Sequence, residues 1–389
     1  MTTHDLPTTG ADERPGRRVP EVDTIRGFAL AGILLANLGF FADPRQLATV
    51  GVGPSNPVDL ALQILVLSKF YIIFSFLFGY SFTLQTRSGR PGTVARTVRR
   101  CLGLFVLGLL HGLLLWPGDI LTLYAALGLL LLLVRRIRPR TAVIAGIVLL
   151  TLVTVAYALL AGLITLSPEP VSVMTPYGPE AGARLLAEYT AGPLDAVGVN
   201  VAQYPGVVAS IWFAQGPTAM AMFLLGFAAG TSRLFERPAD WAHRMTAVQW
   251  IGFGIGLPAA VLSGVLFDRN GAATVASMAL TTATAPLLAA AYVVTLLRLA
   301  RRLPVVPALL NPAGRIAASN YLGQSVLAFL IFSGCGLGLA GRVSPLATVG
   351  IAVLVFGLLV TLSAWWLRGH RYGPIEYGLR RLTHWRRPS

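Results

Sequence analysis

The chain has 389 residues, of which 55% are hydrophobic and 12% are charged, and its formal net charge at pH 7 is +15. Such a charge can indicate nucleic-acid binding, but the basic residues here are dispersed in short clusters between long apolar stretches, which argues against a nucleic-acid surface. The two cysteines, Cys101 and Cys335, fall within predicted spans and provide neither an external disulfide nor a metal site.

Six clusters hold twenty-six of the thirty-one Lys and Arg residues. Because basic residues stay on the cytoplasmic side when a membrane protein inserts, we place all six clusters in the cytoplasm. One crossing needs about 20 apolar residues, so each intervening stretch has room for an even number of crossings. The clusters extend over residues 14–26, 87–100, 135–140, 233–244, 298–315 and 368–387.

This pattern predicts an all-α fold, a polytopic transmembrane helix bundle with about ten spans and both termini in the cytoplasm. Residues 1–26 form a basic cytoplasmic segment, residues 27–367 form the bundle, and residues 368–389 form an amphipathic basic tail on the inner leaflet. The predicted spans are 27–43, 64–86, 101–116, 119–134, 141–166, 206–231, 247–267, 272–297, 316–340 and 347–367.

The longest predicted loop, residues 167–205, lies outside the cytoplasm and is too short to fold as a soluble domain. Within it, residues 179–190 are predicted either as a short surface helix that acts as a lid or as an irregular connector. Function is therefore expected inside the membrane bundle. Close packing of its helices is predicted from the GxxxG pairs Gly108/Gly112, Gly226/Gly230, Gly252/Gly256 and Gly334/Gly338.

Three ionisable side chains are predicted near the outer ends of spans, where an inserted charge needs a partner or a purpose. They are Lys69, His111 and Asp119, the last directly after the tight turn Trp116-Pro117-Gly118. We predict that Asp119 orients the His111 imidazole as a general base and that Lys69 stabilises developing negative charge. The alternatives are a structural hydrogen bond for His111 and a helix cap for Asp119.

Uncharged polar residues occur within the first and ninth spans. Asn37 lies in the first span, and Asn320 and Gln324 share one face of the ninth because they are four residues apart. The face with Asn320 and Gln324 either lines a polar cavity, as part of a cofactor site, or hydrogen-bonds a neighbouring helix.

Three arginines, Arg26, Arg100 and Arg315, lie at the inner ends of spans. Together they are predicted to bind a phosphate-bearing donor at the cytoplasmic face, because guanidinium groups hold phosphate oxygens with paired hydrogen bonds. The alternative is that they serve only as topology signals, which need no ligand.

Five segments, in order along nearly the whole chain, resemble the YeiB-like family of bacterial membrane proteins. Each segment alone is a weak signal, whereas five in the right order are fairly specific. The segments are Val22-Asp23-Thr24-Ile25-Arg26-Gly27-Phe28-Ala29-Leu30-Ala31-Gly32-Ile33 with Asn37; Lys69-Phe70 with Phe74-Ser75-Phe76-Leu77-Phe78-Gly79-Tyr80; His111-Gly112 with Gly118-Asp119-Ile120-Leu121 and Tyr124-Ala125; Gly314-Arg315 with Ser319-Asn320-Tyr321 and Gln324-Ser325; and Gly373-Pro374-Ile375-Glu376-Tyr377 with Arg380-Arg381-Leu382-Thr383.

This resemblance implies a distant similarity to transmembrane acyltransferases such as heparan-alpha-glucosaminide N-acetyltransferase. Those enzymes take an acyl group from cytoplasmic acyl-CoA and deliver it to an acceptor on the other side of the membrane. An Asn in their first span and a His in the following outer loop carry the reaction. Asn37 matches the Asn, but residues 43–68 contain no His, so His111 is expected to act as a substitute.

We therefore expect an integral-membrane acyltransferase that moves a small acyl group from acyl-CoA, acetyl-CoA foremost, to a hydroxyl or amine acceptor, without a metal. His111 would deprotonate the acceptor, Asn37 would hold the thioester carbonyl and Lys69 the oxyanion. The alternative is a transporter or exporter of a small or lipid-linked molecule, in which the same polar residues form a midplane binding site. A third option is a structural or regulatory protein without turnover.

The expected location is a bacterial plasma (inner) membrane, because one Lys against thirty Arg is typical of a GC-rich bacterial genome. Expected partners are membrane lipids and a small-molecule or lipid-linked acceptor, with no nucleic acid. The sequence leaves an oligomer open.

Overall fold

The protein was analysed as a computed structural model, which describes residues 18–48, 54, 56–87, 92–167, 179–267 and 271–384. Every regular element in these ranges is a helix, as predicted. Most of the predicted amino-terminal segment, residues 1–17, and the last five residues of the tail lie outside the described residues.

Sixteen α-helices are described, together with a 3₁₀ turn at Pro238–Arg244 and a π-helical turn at Gly252–Gly256. The α-helices are α1 (Pro20–Ala42), α2 (Arg45–Ala48), α3 (Pro57–Leu65), α4 (Lys69–Thr86), α5 (Thr93–Leu114), α6 (Leu121–Leu133), α7 (Pro139–Thr165), α8 (Pro179–Ala191), α9 (Pro193–Thr231), α10 (Met245–Ile251), α11 (Leu257–Leu266), α12 (Gly271–Arg302), α13 (Val305–Arg315), α14 (Ala317–Phe332), α15 (Pro345–Gly369) and α16 (Pro374–His384).

Eight helical segments of the described chain are long and apolar enough to cross a membrane, counting α3 with α4 and the stretch from Pro238 to Leu266 as one segment each. Two shorter apolar helices, α6 and α14, lie where the fourth and ninth spans are predicted. The predicted all-α polytopic bundle is therefore confirmed.

Several helix boundaries differ from the prediction, and two of the helices begin earlier than predicted, at a proline. The first helix begins at Pro20 rather than at residue 27, since proline is well suited to the first helical turn and Glu21 and Asp23 favour a helix amino terminus. The predicted span from residue 206 is wrong at its start: α9 begins at Pro193 and continues through Pro205 and Pro217. Membrane helices tolerate internal proline because neighbouring groups hydrogen-bond the carbonyls that proline leaves free.

The predicted loop over residues 167–205 is correspondingly shorter, and α8 supports the helix alternative for residues 179–190.

The second predicted span, residues 64–86, is broken into two helices. The chain leaves α3 at Leu65 and enters α4 at Lys69, and Ser68 between them has φ of +70°. A non-glycine residue adopts this left-handed conformation rarely, so the break is a defined feature of the backbone. It places the amino terminus of α4 inside the bundle.

Glycines allow the central helices to approach one another at backbone distance. A side chain at Gly27 of α1 would overlap the Leu310 carbonyl of α13, and one at Gly314 would overlap the Asp23 carbonyl. The predicted GxxxG glycine Gly226 of α9 meets the Phe76 carbonyl of α4 in the same way. These contacts hold α1 against α13 and α4 against α9 without intervening side chains.

The tight α1–α13 contact predicts a clear stability difference between two Gly→Ala variants. Gly27→Ala should lower the free energy of unfolding by about 1–3 kcal/mol, because the new methyl group overpacks a backbone contact. Gly357→Ala in α15 adds a methyl group where no heavy atom lies within 4 Å, so it should be neutral or slightly stabilising. Unfolding in detergent micelles measures both, and equal effects of the two substitutions would contradict this packing.

Candidate functional site

His111 and Asp119 form a fully buried hydrogen-bonded pair. His111 lies in the last turn of α5, and Asp119 lies in the turn that leads to α6. Nδ1 of His111 is 2.9 Å from Oδ1 of Asp119, and both side chains are 0% exposed. The structure thus brings together the two residues that the short hairpin predicts to be neighbours.

Asp119 also caps helix α6. Its Oδ2 accepts a hydrogen bond from the Thr122 backbone N–H at 2.9 Å. The capping and the imidazole-orienting interpretations therefore apply to the same carboxylate, one through each oxygen. Because both oxygens are engaged, the position of Asp119 is fixed and so is the orientation of the His111 ring.

Glycines make room for this pair. A Cβ at Gly108 would lie 2.5 Å from Oδ2 of Asp119 and 2.7 Å from the Thr122 nitrogen, so only glycine permits this approach of α5 to the α6 amino terminus. Gly112 is the second glycine of the predicted Gly108/Gly112 pair. A Cβ there would overlap the ring of Tyr204 on α9.

The other nitrogen of His111 has no hydrogen-bond partner among the described residues. Nε2 is buried, and the nearest aromatic neighbour of the imidazole is the Tyr321 ring of α14, with the ring centroids 5.1 Å apart. A buried polar atom without a partner is uncommon in folded proteins and calls for an explanation. An imidazole with one nitrogen held by a carboxylate and the other without a partner has the arrangement of a general base.

A cavity of about 260 Å³ lies next to this pair, toward the carboxyl-terminal end of α1. Asn37 of the first span lines the cavity, and the helix break at Ser68 forms another part of its wall. His111 and Asp119 are not lining residues, but Gly118 and Ile120 on either side of Asp119 are. The remaining lining residues are Ile33, Ala36, Phe40, Val66, Leu67, Phe70, Tyr71, Trp116, Val207, Ser210, Ile211 and Gln215.

Lys69 does not hydrogen-bond His111, although the sequence interpretation places it beside the base. Its side chain is buried, and Nζ donates to the Gln63 carbonyl of α3 at 3.0 Å. Within the described part of the chain Lys69 forms no ion pair. Its neighbours Ser68 and Phe70 line the cavity, whereas Lys69 itself does not.

The three predicted donor-binding arginines lie at the opposite end of α1, which we call the basic end, defined by Arg26, Arg100 and Arg315. Arg26 pairs with Asp23 at 3.0 Å and donates to the Ser81 hydroxyl at 2.5 Å. The guanidinium of Arg100 lies 6.0 Å from the centroid of the Phe78 ring. The charges of Arg26 and Arg100 both interact with the carboxylate of Glu376 in the tail.

Arg315 completes the basic end from the junction of α13 and α14. Its Nε is buried and has no hydrogen-bond partner among the described residues. Burial lowers the pKa of Arg315, and the positive charge of Arg18 lowers it further, whereas Asp23 opposes this effect. The structure thus groups the three arginines, which are far apart in the chain, around one end of the bundle.

Asn320 and Gln324 make hydrogen bonds between helices instead of facing a cofactor. The Asn320 amide donates to the Ala313 carbonyl at 3.0 Å and to the Ser363 hydroxyl at 2.9 Å, and its oxygen accepts from Ser363. Gln324 donates to the Leu30 carbonyl of α1 at 3.0 Å. Of the two alternatives that the sequence left open, this geometry supports helix packing, and the assignment of both residues to a cofactor site is corrected.

Sequence reasoning missed the role of Glu376, which the tail inserts against the start of α14. Its carboxylate accepts hydrogen bonds from the backbone N–H groups of Ala318 at 2.7 Å and Ser319 at 3.2 Å, and from the Ser319 hydroxyl at 2.5 Å. A carboxylate at a helix amino terminus is favoured by the free N–H groups and by the helix dipole. Glu376 is the only acid among residues 368–389, and this is the sequence signal that could have identified it.

Comparison with known proteins supports the resemblance to the YeiB-like family. The chain is 32% identical to the uncharacterized protein YxaH of Bacillus subtilis (strain 168), over 94% of each chain. It is 29% identical to the uncharacterized protein YeiB of Escherichia coli (strain K12), over 93% of this chain and 95% of that protein. The chain belongs to the YeiB-like family. A family model described as "Protein of unknown function (DUF418)" matches residues 229–386, and no solved structure matches the chain.

In this YeiB-like chain the Glu376 contacts predict a stabilising role for the tail. Glu376→Ala should lower the free energy of unfolding by about 1–3 kcal/mol, because it removes a charged acceptor from partly buried N–H donors. Glu180→Ala on the exposed start of α8 is the matched control and should change it little. Denaturant unfolding in micelles measures both, and a Glu376→Ala variant as stable as the wild type would show that the cap is dispensable.

Proposed function

We propose that this protein is an integral-membrane acyltransferase that moves a small acyl group from acyl-CoA to a hydroxyl or amine acceptor. The observation that carries the proposal is the buried His111–Asp119 pair, whose Nε2 has no hydrogen-bond partner among the described residues and which lies next to the cavity wall at Gly118 and Ile120. The resemblance to transmembrane acyltransferases supports the reaction class. The plasma membrane of a bacterium is the proposed location, because the relatives are bacterial and the chain is rich in membrane-spanning helices.

The basic end is the proposed donor site. Arg26, Arg100 and Arg315 present planar guanidinium groups suited to the phosphate oxygens of coenzyme A. Asp23 and Glu376 are the nearby acids, and Asp23 pairs with Arg18 as well as with Arg26. In the topology predicted from the basic clusters this end faces the cytoplasm, where acyl-CoA is available.

The base lies next to the cavity, and the donor site lies at the other end of α1. Tyr321, whose ring lies against His111, is in α14, and Arg315 is the last residue of the preceding helix α13. Asn37 follows Arg26 by eleven residues in α1, which corresponds to about 16 Å. A thioester carried on the flexible arm of coenzyme A can cover such distances while its phosphates stay at the arginines.

The proposed chemistry uses His111 as general base and then as general acid. Nε2 accepts the proton of the acceptor O–H or N–H as the acceptor atom bonds to the thioester carbonyl carbon. The carbon–sulfur bond then breaks, and the departing thiolate takes the proton from His111. Asp119 holds the Nδ1 proton and stabilises the imidazolium formed in between.

Asn37 and Lys69 take different parts from those expected from the sequence. Asn37 lines the cavity, so we assign it to the acceptor and not to the thioester carbonyl. The Lys69 ammonium group donates its hydrogen bond to the Gln63 carbonyl of α3, so we do not assign it to the oxyanion at His111.

A transporter of a small or lipid-linked molecule is the second candidate. The break between α3 and α4, the prolines within α9 and the π-helical turn at Gly252–Gly256 favour it, because transporters use discontinuous helices around a central binding site. In that case His111 and Asp119 would serve proton coupling or structure, and no acyl group would be transferred.

The test follows radiolabelled acetyl-CoA in inside-out membrane vesicles that contain the wild-type protein or His111→Gln. Wild type should transfer label into a lipid or soluble acceptor fraction, and His111→Gln should reduce the rate by about 10²–10⁴-fold, because a general base contributes that much. Longer acyl-CoA chains are tested in the same way.

His243→Gln is the matched control, since His243 is an exposed histidine outside the candidate site. It should retain full transfer. Solute uptake into the same vesicles without label transfer would overturn the acyltransferase proposal and support a transporter. Transfer by His111→Gln at the wild-type rate would remove His111 from the mechanism.

A further inference from the structure

No charged side chain is among the described residues that line the cavity. Lys69 and Asp119 are next in the chain to lining residues, but each is engaged elsewhere. The Lys69 ammonium group donates to the Gln63 carbonyl. The two oxygens of Asp119 are hydrogen-bonded to His111 and to the Thr122 backbone N–H. A ligand with a full charge would therefore enter an uncharged site, and an unpaired charge is costly to bury.

The polar groups of the cavity wall are uncharged and without partners. Asn37 and Gln215 contribute side-chain amides, and Ser210 contributes a hydroxyl. None of these three side chains hydrogen-bonds another described residue. Amides and hydroxyls donate hydrogen bonds as well as accept them, and the interior of a bilayer offers no water to satisfy them. They suit a ligand group that also donates and accepts, as a hydroxyl does.

The rest of the wall is predominantly apolar. Aliphatic and aromatic side chains from α1, the α3–α4 break and α9 face the cavity, among them Ile33, Phe40, Leu67, Phe70 and Ile211. A wall of this kind binds the apolar body of a ligand, because contact removes apolar surface from water, while a few polar groups fix the orientation of the ligand. The hydroxyl is therefore expected to be carried by an apolar molecule.

At Ser210 the cavity wall meets the outer surface of the bundle. Ser210 lines the cavity and is an exposed residue. Phe213 follows it by three residues on the same face of α9 and is 90% exposed. Since α9 is apolar and long enough to cross a membrane, its exposed face adjoins lipid. This is the side from which a molecule dissolved in the bilayer would reach the cavity.

We propose that the cavity binds the uncharged hydroxyl end of an apolar, membrane-dissolved molecule through Asn37, Ser210 and Gln215. Identification of this molecule as the acyl acceptor rests on the proposed function, whereas its binding does not, because a transported solute would occupy the same cavity. For acyl transfer the acceptor is then an alcohol and not an amine. An alkylamine carries a proton near neutral pH, and no lining carboxylate offsets that charge.

The test uses three photoreactive probes that share one decyl chain with a diazirine and end in a hydroxyl, an ammonium or a carboxylate group. Each probe labels the full-length protein in phosphatidylcholine nanodiscs, and mass spectrometry identifies the labelled residues. Label on the lining segments of α1 and α9 is divided by label on α7, most of whose residues are not buried. This cavity ratio corrects for unequal partitioning of the probes into the bilayer.

The cavity ratio of the hydroxyl probe should exceed those of the two charged probes about tenfold or more, because only the charged probes carry an unpaired charge into the cavity. Excess unlabelled decanol should abolish it. Asn37→Leu and Gln215→Leu should each lower the hydroxyl-probe ratio about fivefold to tenfold, since each removes a hydrogen bond to the ligand. Thr361→Val is the matched control. It removes an exposed hydroxyl of α15 that does not line the cavity, so it should keep the wild-type ratio.

Equal cavity ratios for the three probes, or wild-type ratios in both Leu variants, would overturn the proposal. A larger ratio for a charged probe would also overturn it and would indicate a charged ligand. If one variant does not fold, the other decides, and the comparison of the three probes needs only the wild type. Because no turnover is measured, these outcomes are separate from the acyl-transfer test: binding of the hydroxyl probe without acyl transfer would contradict the acyltransferase function alone.

Discussion

Asp119 is a carboxylate buried in the interior of a membrane bundle, and the rest of the candidate site is arranged around it. Such a group is costly to bury unless its oxygens are hydrogen-bonded and its charge is matched. One oxygen accepts from His111 and the other from the first turn of α6, and both contacts require Gly108 to leave space between α5 and α6. The same hydrogen bond that offsets the burial of Asp119 also fixes the imidazole, with Nε2 left without a partner among the described residues. Structure and proposed chemistry therefore depend on one hydrogen bond.

The parts of the fold that hydropathy and charge determine were predictable from the sequence. Long apolar stretches between arginine clusters are sufficient to predict a polytopic bundle. The proximity of His111 and Asp119 was predictable too, because a turn with Pro117 and Gly118 leaves few ways for the chain to reverse. These predictions depend on local sequence and on periodicity.

Features that depend on backbone conformation or on distant contacts were not predictable. The break at Ser68 lies in a continuous apolar stretch, and hydropathy carries no information about a positive φ. The continuation of α9 through Pro205 depends on the helices that pack around it. The cavity is formed by residues of α1, the α3–α4 break, the α5–α6 turn and α9, and no sequence spacing relates them. The four-residue spacing predicted that Asn320 and Gln324 share one helix face. It could not predict that the Asn320 amide would hydrogen-bond the Ser363 hydroxyl, because Ser363 lies on another helix.

The bundle thus presents a basic end at the start of α1 and, toward the other end of α1, a buried histidine–aspartate pair next to a polar cavity. A cryo-electron microscopy structure in nanodiscs with a non-hydrolysable acetyl-CoA analogue tests this arrangement most directly. The account predicts density for the phosphates at Arg26, Arg100 and Arg315, with the acyl carbonyl beside Nε2 of His111. Phosphate density elsewhere, or a protein group hydrogen-bonded to Nε2 with the analogue bound, would contradict it.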